Sequence, residues 1–204
     1  MRTIGDIMRL APVIPVLVIE DETDAGPIAR ALVAGGLRVL EVTLRTPAAL
    51  DAIAEMRKIE GAVVGAGTVL NPGQLEQSLA AGAEFIVSPG LTGPLGRAAI
   101  ASGIPFLPGI ATAGDLMRGL DLGLSHFKFF PAETSGGIPA LKALAGPFGA
   151  ARFCPTGGIT QASAPAWLAV EPVLCVGGSW LVPKGRIDAA EIESLARAAS
   201  SLRR

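Results

Sequence analysis

Arg38-Val39-Leu40-Glu41-Val42-Thr43-Leu44-Arg45 alternates with period two. Such a strand places Glu41, Thr43 and Arg45 on one face and Leu40, Val42 and Leu44 on the other. In a barrel the apolar face meets the surrounding helices, so the polar face points inward. An inward carboxylate and guanidinium need partners, because an unpaired buried charge is costly or changes its protonation. A Glu41–Arg45 ion pair would satisfy both. So would a working role, in which Glu41 moves protons and the planar fork of Arg45 grips a substrate carboxylate. The run by itself leaves both open.

It is the second of eight short, mostly apolar runs with strand character, at residues 13–19, 38–44, 62–65, 84–87, 105–107, 126–130, 152–154 and 173–176. Segments with helical periodicity lie between them, for example 23–34, 47–59, 72–81, 112–122 and 187–202. Several open on Thr, Asn or Pro and close at Gly35, Gly82, Gly103 or Gly123. Strands alternating with helices at a spacing of roughly 20–26 residues argue for parallel strands with helical crossovers. Eight such units, with no long insertion, predict one (β/α)8 barrel (a TIM barrel) over residues 1–204. A leucine-rich solenoid shares the spacing, but its consensus does not recur. A doubly wound open sheet is the competing architecture. Residues 3–10 read as a short helix covering the barrel floor.

The 204 residues carry a formal charge of −1 and are half hydrophobic, which excludes disorder and offers no basic footprint for nucleic acid or an anionic membrane. The apolar run at 10–19 is broken by Pro12 and Pro15, so it is neither a spanning helix nor a signal peptide, and a cytoplasmic location follows by default. Cys154 and Cys175 sit in apolar runs and read as reduced, packed residues. With one histidine and two separated cysteines, no ordinary zinc site can be composed; a carboxylate-held metal stays open without support, and no cofactor is expected.

In a barrel the site lies where strands end and loops begin, and the unusual residues gather there. His126-Phe127-Lys128-Phe129-Phe130-Pro131 places a lysine inside an apolar strand. Desolvation there disfavours an ammonium, and the neutral amine is a nucleophile able to form a Schiff base with a ketone. A lysine snorkelling to water is the bland alternative. Gly65-Ala66-Gly67-Thr68 bares its backbone to a small ligand or simply makes a tight turn. Gly157-Gly158 and Gly177-Gly178-Ser179 follow the seventh and eighth runs, where such barrels bind phosphate through backbone N–H groups. His126, at the opening end of its strand, reads as a packed or partly exposed histidine. Glu20, Asp21 and Glu22 read as acidic residues at a helix N-terminus rather than a metal cluster. Trp167 and Trp180 read as packing residues.

Glu41-Val42-Thr43-Leu44-Arg45, Gly65-Ala66-Gly67-Thr68-Val69-Leu70, Ser88-Pro89-Gly90, Phe127-Lys128-Phe129-Phe130-Pro131-Ala132-Glu133, Arg152-Phe153-Cys154-Pro155-Thr156-Gly157-Gly158 and Gly177-Gly178-Ser179-Trp180 together resemble the 2-keto-3-deoxy-6-phosphogluconate (KDPG) and 4-hydroxy-2-oxoglutarate (KHG) aldolases. The likeness runs in order over nearly the whole chain. It implies a metal-free class I aldolase and homotrimer that cleaves a keto-acid phosphate into pyruvate and glyceraldehyde 3-phosphate in the Entner–Doudoroff pathway, and KHG into pyruvate and glyoxylate. It also implies that Lys128 forms the Schiff base and Glu41 is the general acid/base. Arg45 and Thr68 would hold the pyruvate carboxylate, and Gly157, Gly158, Gly178 and Ser179 the phosphate. Pro89, Phe130 and Thr156 would line the pocket. A phosphosugar isomerase or epimerase on the same barrel would keep the glycine loops without needing the strand lysine, and a non-catalytic phosphometabolite-binding barrel would bind without turnover.

Overall fold

The structure is a computed structural model that describes residues 2–183, 185 and 187–202. In chain order its elements are α1 (Ile4–Arg9), β1 (Val13–Leu17), α2 (Ala25–Ala34), β2 (Val39–Thr43), α3 (Ala49–Met56), β3 (Val63–Gly67), α4 (Pro72–Ala80), β4 (Phe85–Val87), α5 (Gly93–Ser102), β5 (Phe106–Leu107), β6 (Gly109–Ile110), α6 (Ala113–Asp121), β7 (His126–Phe129), α7 (Gly137–Ala145), β8 (Arg152–Pro155), α8 (Ala164–Leu168), β9 (Val176–Gly178) and α9 (Ala189–Ser200). Helix starts follow local chemistry. The side chains of Thr3, Asn71, Thr92, Thr112 and Asp188 accept from first-turn N–H groups, and Thr3 and Thr112 complete reciprocal capping boxes with Asp6 and Asp115.

All ladders are parallel. A six-stranded sheet has the order β5-β4-β3-β2-β1-β9 and a three-stranded sheet the order β6-β7-β8. Only Pro108 separates β5, which pairs with β4, from β6, which pairs with β7. A proline has no N–H to give a ladder, which accounts for the break. At the other edge, single parallel bridges join Phe153 to Val173 and Thr156 to Gly177. The sheet curls: Glu41 on β2 and Lys128 on β7, strands of different sheets, touch across its concave side.

Two apolar clusters lie on opposite faces of the strands. The outer one holds Leu40, Val42, Phe127, Phe129 and Phe153 against the helices, and the inner one holds Ile14, Val39, Val63, Phe85 and Cys154. Ile7 and Met8 of α1 belong to the inner cluster, so α1 closes the end at which the strands begin. His126 stands there too, half-buried, with Nδ1 beside the Ser125 hydroxyl at 3.1 Å and Nε2 without a partner among the described residues.

Among the strand boundaries that differ from the sequence-based expectation, three involve prolines or glycines near the site. The third strand extends to Gly67, so Gly65-Ala66-Gly67 is strand and not a turn. The fifth resumes beyond Pro108 at Gly109–Ile110. The last lies at Val176–Gly178, with Val173 making only an isolated bridge, so the glycines of the expected loop belong to the strand itself. Glycine depresses strand propensity on average, and here close packing overrides it.

Candidate active site

Lys128 lies between Phe127 and Phe129, whose rings belong to the outer cluster, so alternation turns its own side chain inward. Inside, its Nζ donates to Glu41 Oε1 at 2.8 Å. The pair is sealed: Lys128 is 5 % exposed and Glu41 3 %. Lys128 therefore does not snorkel to water. Its Nζ also sits 5.6 Å from the centre of the half-buried Phe130 ring, within cation–π range. A buried ion pair seldom stabilises a fold over an apolar pair of equal volume. Two ionisable groups in proton-transfer contact inside a sheet therefore suggest chemistry.

Neighbouring glycines make the pair possible. A Cβ built on Gly67 would fall 2.3 Å from Glu41 Oε1, and one on Gly65 would fall 2.5 Å from the Phe85 ring. Gly65 and Gly67 thus make room for other side chains of the protein, rather than baring backbone to a ligand. Thr68 follows at φ 60°, a left-handed conformation that is uncommon for a β-branched residue. It is half-buried at the mouth of β3. Strain of this kind persists only where the surroundings impose it, and it gathers at functional sites.

Arg45 corrects one alternative. β2 ends at Thr43, and Arg45 is exposed beyond it, with its N–H donating to Thr43 O at 2.8 Å. Among the described residues it forms no ion pair, and the carboxylate that might have paired with it belongs to Lys128. Thr43 is fully buried, and its hydroxyl donates to Leu17 O at 2.8 Å. Pro89 is half-buried after β4, and the neighbouring Ser88 hydroxyl donates to Gly90 O at 2.7 Å.

Thr156 is 5 % exposed, and its Oγ1 occupies space that any side chain at Gly177 would take, a Cβ there falling 2.3 Å away. Gly157 and Gly158 have φ of 104° and 79°, a region that side chains disfavour. Gly178 is buried under the Trp180 ring, and Ser179 is exposed at the rim. Ser179 lines a cavity of about 420 Å³ together with Val16, Val18, Glu20 and Asp24. Val16 is the register partner of Glu41, so this cavity adjoins the Lys128–Glu41 pair without including it. The residues expected to form the site lie toward the carboxyl ends of β2, β3, β4, β7, β8 and β9 or just beyond them, whereas His126 stands at the opposite end. What the sequence did not reveal is that Lys128 and Glu41, 87 positions apart, bond to each other. No local signal could have shown it.

Among the described residues, no three His, Cys, Asp or Glu side chains are grouped to hold a metal ion. No described helix is long and apolar enough to cross a membrane. Cys154 and Cys175 are buried and not joined in a disulfide.

The family described as KDPG and KHG aldolase matches residues 4–198. The KHG/KDPG aldolase of Escherichia coli is 54% identical over 194 residues, covering 95% of this chain and 91% of that protein. The 2-keto-3-deoxy-6-phosphogluconate aldolase of Zymomonas mobilis, solved with 3-phosphoglycerate, is 63% identical, with a TM-score of 0.98 over 100% of this chain and 98% of that one. The KDPG aldolase of Legionella pneumophila, with pyruvate captured at low pH as a covalent carbinolamine intermediate, is 48% identical, with a TM-score of 0.95 over 98% and 99% of the two chains.

Proposed function

Because this chain belongs to the KDPG and KHG aldolase family, we propose that it is a class I aldolase cleaving 2-keto-3-deoxy-6-phosphogluconate to pyruvate and glyceraldehyde 3-phosphate in the Entner–Doudoroff pathway. It also cleaves 4-hydroxy-2-oxoglutarate to pyruvate and glyoxylate. The observation that carries this reading is the buried 2.8 Å contact between Lys128 Nζ and Glu41 Oε1. Residues 1–204 form one (β/α)8 domain in which β5 and β6 are a single strand broken by Pro108. The Thr156–Gly177 bridge supports closure of the ring. The enzyme works as a cytoplasmic homotrimer, and two buried cysteines that form no disulfide fit a reducing compartment.

Catalysis begins when the Lys128 ammonium passes a proton to Glu41, leaving a neutral amine and a carboxylic acid. The amine adds to the C2 ketone. Glu41 returns its proton to the carbinolamine hydroxyl, which leaves as water and gives an iminium that draws electrons from C3. The Glu41 carboxylate then takes the C4 hydroxyl proton as the C3–C4 bond breaks, releasing the aldehyde product. The remaining enamine is protonated at C3 and hydrolysed to pyruvate, freeing Lys128. Arg45 and Thr68 hold the pyruvate carboxylate. Pro89, Phe130 and Thr156 line the pocket, and Gly157, Gly158, Gly178 and Ser179 receive the phosphate through backbone N–H groups and the serine hydroxyl.

Reduction with borohydride in the presence of pyruvate tests the central step. Mass spectrometry should place the adduct on the peptide containing Phe127-Lys128-Phe129. An adduct on Lys58, Lys142 or Lys184 instead, or none at all, would end this mechanism.

A further inference from the structure

A phosphate site by itself gives Glu133 no electrostatic reason to stand where it does. It follows β7 and lies against Gly157-Gly158, the backbone assigned above to a phosphate dianion, which a neighbouring carboxylate would repel. Its geometry offers another reason. The Glu133 N–H donates to Gly157 O at 3.1 Å, and the Ala132 N–H donates to Thr156 O at 2.8 Å. The side chain packs against the loop as well, for a Cβ at Gly158 would fall 2.7 Å from Glu133 Cγ and 2.8 Å from its Cβ. Beyond that contact, Glu133 Oε1 accepts a hydrogen bond of 2.8 Å from Trp167 Nε1.

Trp167 is the anchor. It is 1 % exposed on α8, the helix that follows the glycine loop, and its ring centre stands 6.3 Å from that of Phe129 on β7. An indole N–H can only donate, so a buried tryptophan needs an acceptor in one place. The Glu133 carboxylate supplies it and thereby ties the β7 exit to α8, across the loop that joins β8 to α8. Two glycines in left-handed conformations would otherwise be the freest part of the site. A loop that is already ordered binds an anion without the cost of ordering it.

We infer that Glu133 is a positioning residue: held by Trp167, it fixes the Gly157-Gly158 backbone in its phosphate-binding form and so favours phosphorylated over unphosphorylated substrate. This rests on the placement of phosphate at those glycines. It assigns Glu133 no contact with substrate.

The test is pyruvate release from the phosphorylated substrate and from 4-hydroxy-2-oxoglutarate, measured on the full chain. In Glu133→Ala, KM for the phosphorylated substrate should rise about tenfold, with kcat and the cleavage of 4-hydroxy-2-oxoglutarate within about twofold of wild type. Glu133→Gln keeps an acceptor oxygen and should restore KM to within about threefold. Trp167→Phe should reproduce the Ala asymmetry. Equal losses on both substrates would make the tie merely structural and overturn the inference, as would a Gln variant as impaired as the Ala one, or no change in either. Ser179→Asp checks the premise separately, since a carboxylate at that rim should raise KM for the phosphorylated substrate. If Ser179→Asp does so while both tie variants behave as wild type, the positioning role alone fails. If it does not, the phosphate placement fails and the inference with it.

Discussion

On β2 the inward side chain of Val39 ends in a wholly apolar cluster closed by α1, whereas two residues further along that of Glu41 ends on the ammonium of Lys128. The same contrast recurs at β8, where Cys154 is packed below and Thr156, just past the strand's end, stands polar above, and on β3, where Val63 fills space and Gly65 and Gly67 yield it. One set of strands thus builds a stability region at its amino ends and a chemical region at its carboxyl ends. At β2 and β8 the step between them is two residues, one repeat of the pleat. Substitutions on either side of that step should therefore fail in different ways.

Glu41→Gln should have the largest effect. It keeps the shape and an acceptor for Lys128 but removes the base, so turnover should fall by a factor of roughly 10²–10⁴ with the melting temperature little changed. Near-normal turnover would return Glu41 to a purely structural partnership. Met8→Ala is the mirror experiment on the floor. Met8 is fully buried, and its truncation should cost about 2–5 kcal/mol in a denaturant titration while kcat of the folded enzyme stays put. A large loss of kcat at unchanged stability would erase the division between the two regions.

Gly67→Ala sharpens the boundary itself. The added methyl cannot coexist with Glu41 at 2.3 Å, so the carboxylate must move. Turnover should drop about 10–100-fold, because catalysis is sensitive to displacements of an ångström. The Lys128 adduct with pyruvate should still form. Wild-type turnover in this variant would show that Glu41 need not sit where it does.

The smallest effect belongs to His126 on the floor. Burial, followed by the nearby positive charges of Arg9 and Arg152, holds its pKa below the ordinary 6.5, against the opposing pull of Asp6. The unfolded chain therefore binds a proton more readily than the folded one. The stabilisation is complete above about pH 6.5 and is lost as pH falls through the lowered folded value. Melting temperature should decline between pH 7 and pH 5, and less so in His126→Gln. Identical pH profiles for the two proteins would remove His126 from the account.

Much of this was legible in the chain. Period-two alternation in residues 38–45 put Leu40 and Val42 outside and Glu41 inside, as found, because a strand's side chains alternate whatever their surroundings. Lys128 was legible for the same reason, its phenylalanine neighbours pointing away from it. The inward face expected for Arg45 does not hold, because alternation lasts only as long as the strand, and β2 stops at Thr43. The glycines of β3 and β9 were read as loops because their own side chains supply no strand signal. They are strand because Phe85, Glu41, Thr156 and Trp180 need the space.

Local order is written in short-range chemistry: the alternation of apolar residues, the capping threonines, and the proline that interrupts a ladder. The sequence by itself therefore determined the rhythm of strands and helices, which strand faces are apolar, and which residue types stand at the strand ends. The tertiary structure alone decided that Lys128 would bond to Glu41 rather than leave it to Arg45, and that Glu133 would be held by Trp167 34 residues away. Those pairings depend on how far the sheet curls and which strands come to face one another. That curvature is a sum over every packed contact, and no single stretch of sequence contains it.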